Sequence, residues 1–214
     1  MKALRYPAVL FWLFIALFLI TTINISHPND FILEHIPTLV LAIILLYTYN
    51  KFRLSNTSYT LIFVFMLFHL MGAHYTYSEV PYDNWLKTIL GTELTALLGF
   101  SRNHYDRLVH LLFGLLILYP IKEVFMRVAS AKKIWGYAIP IQIVMCFSMF
   151  YELVEWGAAI VFGGDLGISY LGTQGDVWDA QKDMFLASIG ALISAVIIAF
   201  IENRKHKTSR RKRK

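Results

Sequence analysis

Three groups of ionisable side chains in this sequence have types and spacings that could do chemistry together. Asp106 and His110 stand four residues apart and Glu152 and Glu155 three apart, so each pair shares one face if its segment is helical. Asp179 and Asp183 fall in the first turns of a later apolar segment. Carboxylates and imidazoles that converge can carry out acid–base catalysis, hold a divalent cation or relay protons. The expected catalytic set is Glu155, His110, Asp106 and Glu152, and the expected metal ligands are His74, Asp179 and Asp183. His69 and His74 lie about 140° apart around a helix of 3.6 residues per turn and so cannot clasp one ion together. His74 reads as the site residue and His69 as a hydrogen-bonded structural histidine. No closed metal motif such as H-E-x-x-H is present, so a divalent metal is one of several readings. For Asp106, Asp179 and Asp183 a plainer role also exists, because acidic residues in a first helical turn complement the helix dipole, with Asp176 as N-cap. Glu152 and Glu155 need another reason, since they are expected near the end of an outward-running helix.

The elements that must position these groups are membrane spans. Of 214 residues 57% are hydrophobic and 16% charged, with a mean hydropathy of +0.54, whereas a soluble domain is about 45–50% apolar. That composition excludes an ordinary water-soluble fold. Six segments approach the roughly 20 apolar residues that a spanning helix needs, near 7–25, 33–50, 59–78, 105–122, 134–156 and 183–201. In the second, Glu34 and His35 bound a rather short uncharged run, with Pro37 placed to suit a first helical turn. The first is too long for a signal peptide's apolar region and reads as an uncleaved span. Cys146, the single cysteine, permits no intrachain disulfide.

Six crossings put Lys87, Arg102, Arg107 and Lys182 on one side and the other sixteen of 20 basic residues opposite. The positive-inside rule makes the rich side, with both termini, cytoplasmic. At about 1.5 Å per residue, Glu152, Glu155, Asp106, His110, His74, Asp179 and Asp183 then all fall in the outer half of the membrane. Between spans three and four, residues 84–98 alternate apolar and polar positions at helical spacing and read as a helix on the outer membrane surface. The net charge of +6 is concentrated in cytoplasmic loops and in the tail 204–214, a solvated basic arm beyond the single bundle 1–203. It points to anionic lipid headgroups as partners and not to nucleic acid.

The segments Asp106-Arg107-Leu108-Val109-His110, Tyr151-Glu152-Leu153-Val154-Glu155-Trp156 and Gly172-Thr173-Gln174-Gly175-Asp176-Val177-Trp178-Asp179-Ala180-Gln181-Lys182-Asp183 carry a family likeness. Over its whole length the chain resembles the YjdF family of bacterial inner-membrane proteins, which implies a location and a topology and leaves the chemistry open. More remotely, its second half is similar to VanZ-like membrane proteins. In that pattern an Asp followed four later by His meets Asp106 and His110, and a Glu followed three later by Gln meets Glu152 and Glu155. A further Asp-x3-Asn-x2-Gly element meets Asp183, Ala187 and Gly190. Glu155 stands where the pattern has Gln, and Ala187 where it has Asn.

The expected architecture is therefore an all-α polytopic bundle of about six transmembrane helices, with a polar site opening outward between spans three, four, five and six. The leading functional expectation is a membrane-embedded enzyme acting on a lipid or envelope-precursor headgroup. The alternatives are a transporter or proton-coupled carrier, and a structural or partner-binding membrane protein whose polar residues bond helix to helix.

Overall fold

A computed structural model describes residues 5–131 and 133–211. Lys2, Lys132, Lys212, Arg213 and Lys214, counted above among the basic residues, lie outside the described residues. The architecture is helical: α1 (Tyr6–Thr21), α2 (Pro28–Thr48), α3 (Asn56–Tyr75), α4 (Tyr82–Leu90), α5 (Leu94–Leu98), α6 (Tyr105–Ala129), α7 (Trp135–Phe162), α8 (Gly164–Leu171) and α9 (Asp179–Arg211). Five of these, α2, α3, α6, α7 and α9, are long and apolar enough to cross a membrane. The apolar α1 has 16 residues, roughly 24 Å of rise, and runs beside the spanning α3 from Tyr6 against Thr60 to Thr21 against His74.

Side-chain contacts fix how the helices run. The Ser55 N–H and hydroxyl at the start of α3 donate to Glu123 near the end of α6 (2.9 and 2.7 Å), so α3 and α6 are antiparallel. Lys122 reaches Glu202 at 2.6 Å, near the far end of α9, so α6 and α9 run the same way. Their axes approach closely because both carry glycine at the contact. A Cβ on Gly114 would stand 1.9 Å from the Ala187 carbonyl oxygen, and one on Gly190 2.2 Å from that of Leu111. Small residues at such a seam are the usual means of bringing membrane helices together. Around it Leu118, Val144 and Ala191 are fully buried, and many apolar side chains elsewhere, such as Ile43, Phe150, Ile160 and Val196, are exposed on the outer surfaces of the helices.

Three details differ from the sequence reading. The second span begins five residues earlier, at Pro28, so Pro28 takes the first helical position and Pro37 lies inside the helix. The charged residues that made this span look short are inside it, because Asp30, Glu34 and Thr38 recur every fourth residue and are buried on one face. The fifth span runs on to Phe162, so Glu155 lies roughly 10 Å before the helix end and not at its tip. Residues 204–211, expected as an unfolded arm, continue α9 as helix. They contain no Gly or Pro to stop it, and Lys and Arg are good helix formers that complement the dipole at a C-terminus.

The segment read as a surface helix over 84–98 is two short helices, α4 and α5, divided where Gly91 takes a left-handed conformation (φ 75°). Neither buries a residue, and Ile89, Leu90, Leu97 and Leu98 are exposed. Asp83 ties the pair together by accepting from the Thr95 N–H at 2.9 Å and from the Thr95 hydroxyl.

Candidate functional site

The polar residues meet where α2, α6, α7 and α9 face one another near one end of the bundle. On α6 the four-residue spacing stacks Asp106 on His110, and α7, running antiparallel, brings Glu152 to the same imidazole nitrogen. His110 Nε2 lies 3.6 Å from Asp106 Oδ1 and 3.4 Å from Glu152 Oε1. Asp183 of α9, at 2% exposure, completes the group: one ligand atom each of Asp106, His110 and Asp183 lie within 4.8 Å of one another. The glycine seam sets this spacing, because α9 could not otherwise come so near α6.

A narrow crevice adjoins this group, lined by Asp30 and Glu34 of α2, Thr76 and Tyr77 after α3, Asp106, Glu155, and Ser169 and Tyr170 of α8. Asp106 belongs to both. Partners hold the α2 carboxylates in place. The Ser169 hydroxyl donates to Asp30 Oδ2 at 2.5 Å and Thr76 at 3.3 Å, and Tyr151 donates to Glu34 Oε2 at 2.9 Å. Burial pushes the Tyr77 and Tyr170 phenols well above their ordinary range, so both meet the crevice as neutral hydroxyls. His69 stands behind it. Its Nε2 faces the Glu34 carbonyl at 3.1 Å, which can only accept, and its Nδ1 meets the Tyr77 hydroxyl at 2.5 Å.

Beside the carboxylate group, two arginines bind two aspartates. Arg102 Nη1 lies 2.7 Å and Arg107 Nη2 3.2 Å from Asp179 Oδ1, and Arg107 also pairs with Asp176. Lys182 donates to Asp176 at 2.6 Å and the Trp178 N–H at 3.1 Å. Lys182, the Trp178 N–H and Arg107 hold the Asp176 carboxyl well below the usual carboxylate range.

Comparison with known proteins decides the family. Residues 6–204 match the model of a family described as "Predicted membrane protein (DUF2238)". The inner membrane protein YjdF of Escherichia coli (strain K12) is 34% identical over 181 residues, covering 84% of this chain and 82% of that protein. The chain belongs to this family. It is a multi-pass membrane protein, as its composition and helices also require. No solved structure matches it. The match of the family model spans every residue of the site just described, from Asp30 to Asp183. None of this bears on the likeness to VanZ-like proteins.

The structure sorts the expected site residues into three. Asp106, His110, Glu152 and Asp183 come together, with Glu155 facing the crevice. Asp179, expected as a metal ligand, is instead taken by two guanidinium groups, because it points back along its first turn toward Arg102 and Arg107. His74, also expected as a ligand, turns to α1, where its Nδ1 bonds the Thr21 carbonyl at 2.9 Å. The helix that closes the site is thus α2 and not α3. Asp30, Glu34, Tyr77 and Tyr151 were not singled out from the sequence. The signal was the four-residue period of Asp30, Glu34 and Thr38 in an otherwise apolar run, which marks a polar stripe turned toward other helices.

Proposed function

We propose that the protein is an enzyme of the bacterial inner membrane that acts on the headgroup of a lipid or envelope precursor, with both termini cytoplasmic and the crevice opening outward. The observation that carries this reading is that Asp106, which contacts His110 together with Glu152, also lines a crevice shared with Glu34 and Glu155. A headgroup entering between α2, α6 and α8 would meet the Glu155 carboxyl, and Asp106 with His110 behind it. His110 would take the proton of an attacking hydroxyl or water. As the bond to the departing oxygen breaks, Glu155 would return a proton to it. Asp106 and Glu152 would orient the imidazole. The side of the membrane follows from the basic residues Arg53, Lys122 and Arg127, which cluster at the end opposite the site.

A carrier is supported less well. It would need the polar route to continue, and below His110 the bundle closes on Leu118, Val144 and Ala191, each fully buried.

The test is reconstitution of the purified protein in bilayers containing envelope lipid extract, with headgroup changes followed by mass spectrometry. Glu155→Gln and His110→Gln should keep the folded protein and lower turnover by about 10²-fold or more, the usual weight of a general acid or base. If Glu155→Gln, Asp106→Asn and Asp183→Asn all turn over at the unmutated rate, charge at this site has no catalytic role. If they lower the amount of folded protein alone, the polar residues act as interhelical bonds.

A further inference from the structure

We infer that Asp106, His110 and Asp183 bind one divalent transition-metal ion, with Glu152 as fourth ligand. The inference rests on the enzyme reading and deepens it by naming a cofactor class for the same site, in which a ligated His110 would hold the ion and would no longer serve as the base. It is tested without substrate, so that its failure leaves acid–base chemistry at His110 standing.

Proximity is the first support: one ligand atom from each of the three residues lies within 4.8 Å of the others, and Glu152 Oε1 is 3.4 Å from His110 Nε2. Around an ion bound at about 2.0–2.2 Å, neighbouring ligand atoms stand roughly 3–3.5 Å apart. The widest pair in the group therefore closes by about 1.5 Å on an ion.

The second support is independent of proximity. Asp183 Oδ1 is buried with no hydrogen-bond partner, and so is Glu152 Oε1, which His110 Nε2 approaches to 3.4 Å without forming a hydrogen bond, in side chains 2% and 8% exposed. A buried carboxylate oxygen left without donor or counter-charge is costly. The fold supplies partners to the neighbouring acids: Ser169 and Thr76 to Asp30, Tyr151 to Glu34, and Arg102 and Arg107 to Asp179. The unserved oxygens are those grouped around the imidazole. Both guanidinium groups nearby are paired with Asp176 or Asp179, and neither forms an ion pair with Asp183 or Glu152.

The donor set indicates the ion. Carboxylates with one imidazole suit manganese, iron or zinc, whereas calcium and magnesium favour oxygen alone. Asp106 also lines the crevice, which gives the ion a way in. The ligands come from α6, α7 and α9, so the bound ion would join α7 to the two helices that meet at the glycine seam.

The experiment strips the full-length protein in detergent with a chelator and titrates it with Mn²⁺ and, separately, Zn²⁺. Bound metal is counted by elemental mass spectrometry and melting is followed in parallel. The expected result is one ion per chain and a rise in melting temperature. Asp183→Asn and His110→Gln should each weaken binding at least tenfold and abolish that rise. Glu34→Gln, in the crevice but outside the ligand group, should bind as the unmutated protein does. If Asp183→Asn does not fold, His110→Gln and Glu152→Gln carry the comparison. Absence of saturable binding by the folded, unmutated protein overturns the inference. So does binding that survives His110→Gln and Glu152→Gln, or that Glu34→Gln removes equally.

Discussion

The Tyr151 hydroxyl donates to the Glu34 carboxylate across 2.9 Å, joining residues 117 positions apart in the chain. Through this bond α7 holds α2 against the bundle at the level of the site. Tyr151→Phe keeps the ring and removes the donor, leaving a buried carboxylate oxygen unserved. Leaving a buried acceptor without its donor costs about 1–3 kcal/mol. Thermal unfolding in detergent should show a loss of that order, and Tyr151→Phe in a Glu34→Gln background should cost less than in the unmutated protein. Equal costs in both backgrounds would mean that the two groups do not interact.

The glycine seam makes a sharper stability prediction. Gly114→Ala and Gly190→Ala would drive a methyl group into backbone of the facing helix, at 1.9 Å from Ala187 and 2.2 Å from Leu111. Backbone cannot swing aside, so each should destabilise by about 1–3 kcal/mol or more. They should also impair the site, by moving Asp183 away from His110. Gly157→Ala, on α7 with open space around it, serves as control and should stabilise by up to about 1 kcal/mol through helix propensity. Similar behaviour of all three variants in melting experiments would contradict the packing.

Topology is checked by fusion reporters. Those placed after Lys51 and Arg210 should report the cytoplasm, and those after Glu93 and Gly172 the outer side, because the basic residues concentrate at the end opposite the crevice. A cytoplasmic signal at Glu93 would reverse the assignment and place the site on the inner face.

The loop before α9 should resist acid. Lys182, the Trp178 N–H and Arg107 hold Asp176 below the usual aspartate range. Its contribution to stability is therefore fully present above the ordinary value near 4 and is lost only as pH falls through the lower folded value. Hydrogen exchange of residues 173–182, corrected for intrinsic rate, should stay constant from neutral pH down to about 4 and rise below it. Asp176→Asn should raise it already at neutral pH. Opening of the unmutated loop between pH 6 and 5 would show that another group controls it.

Composition and hydropathy by themselves determined that the chain is a bundle of membrane helices, and spacing along single helices placed Asp106 with His110 and Glu152 with Glu155. Both follow from local rules, since the bilayer dictates span length and the helix repeat dictates which neighbours share a face. What pairs with what across helices was decided only by the tertiary structure. In the sequence, His74, Asp179 and Asp183 looked equivalent as ligands, all of them ionisable residues at one depth. Rotation of each helix about its axis separates them. His74 turns to α1, Asp179 to two arginines, and Asp183 inward to His110. Depth is a sum over one chain segment and can be counted, whereas rotation depends on the packing of every helix around it. The glycines at 114 and 190 fix that packing for α6 and α9, and the buried stripe on α2 brings Glu34 into a site that the sequence placed one helix away.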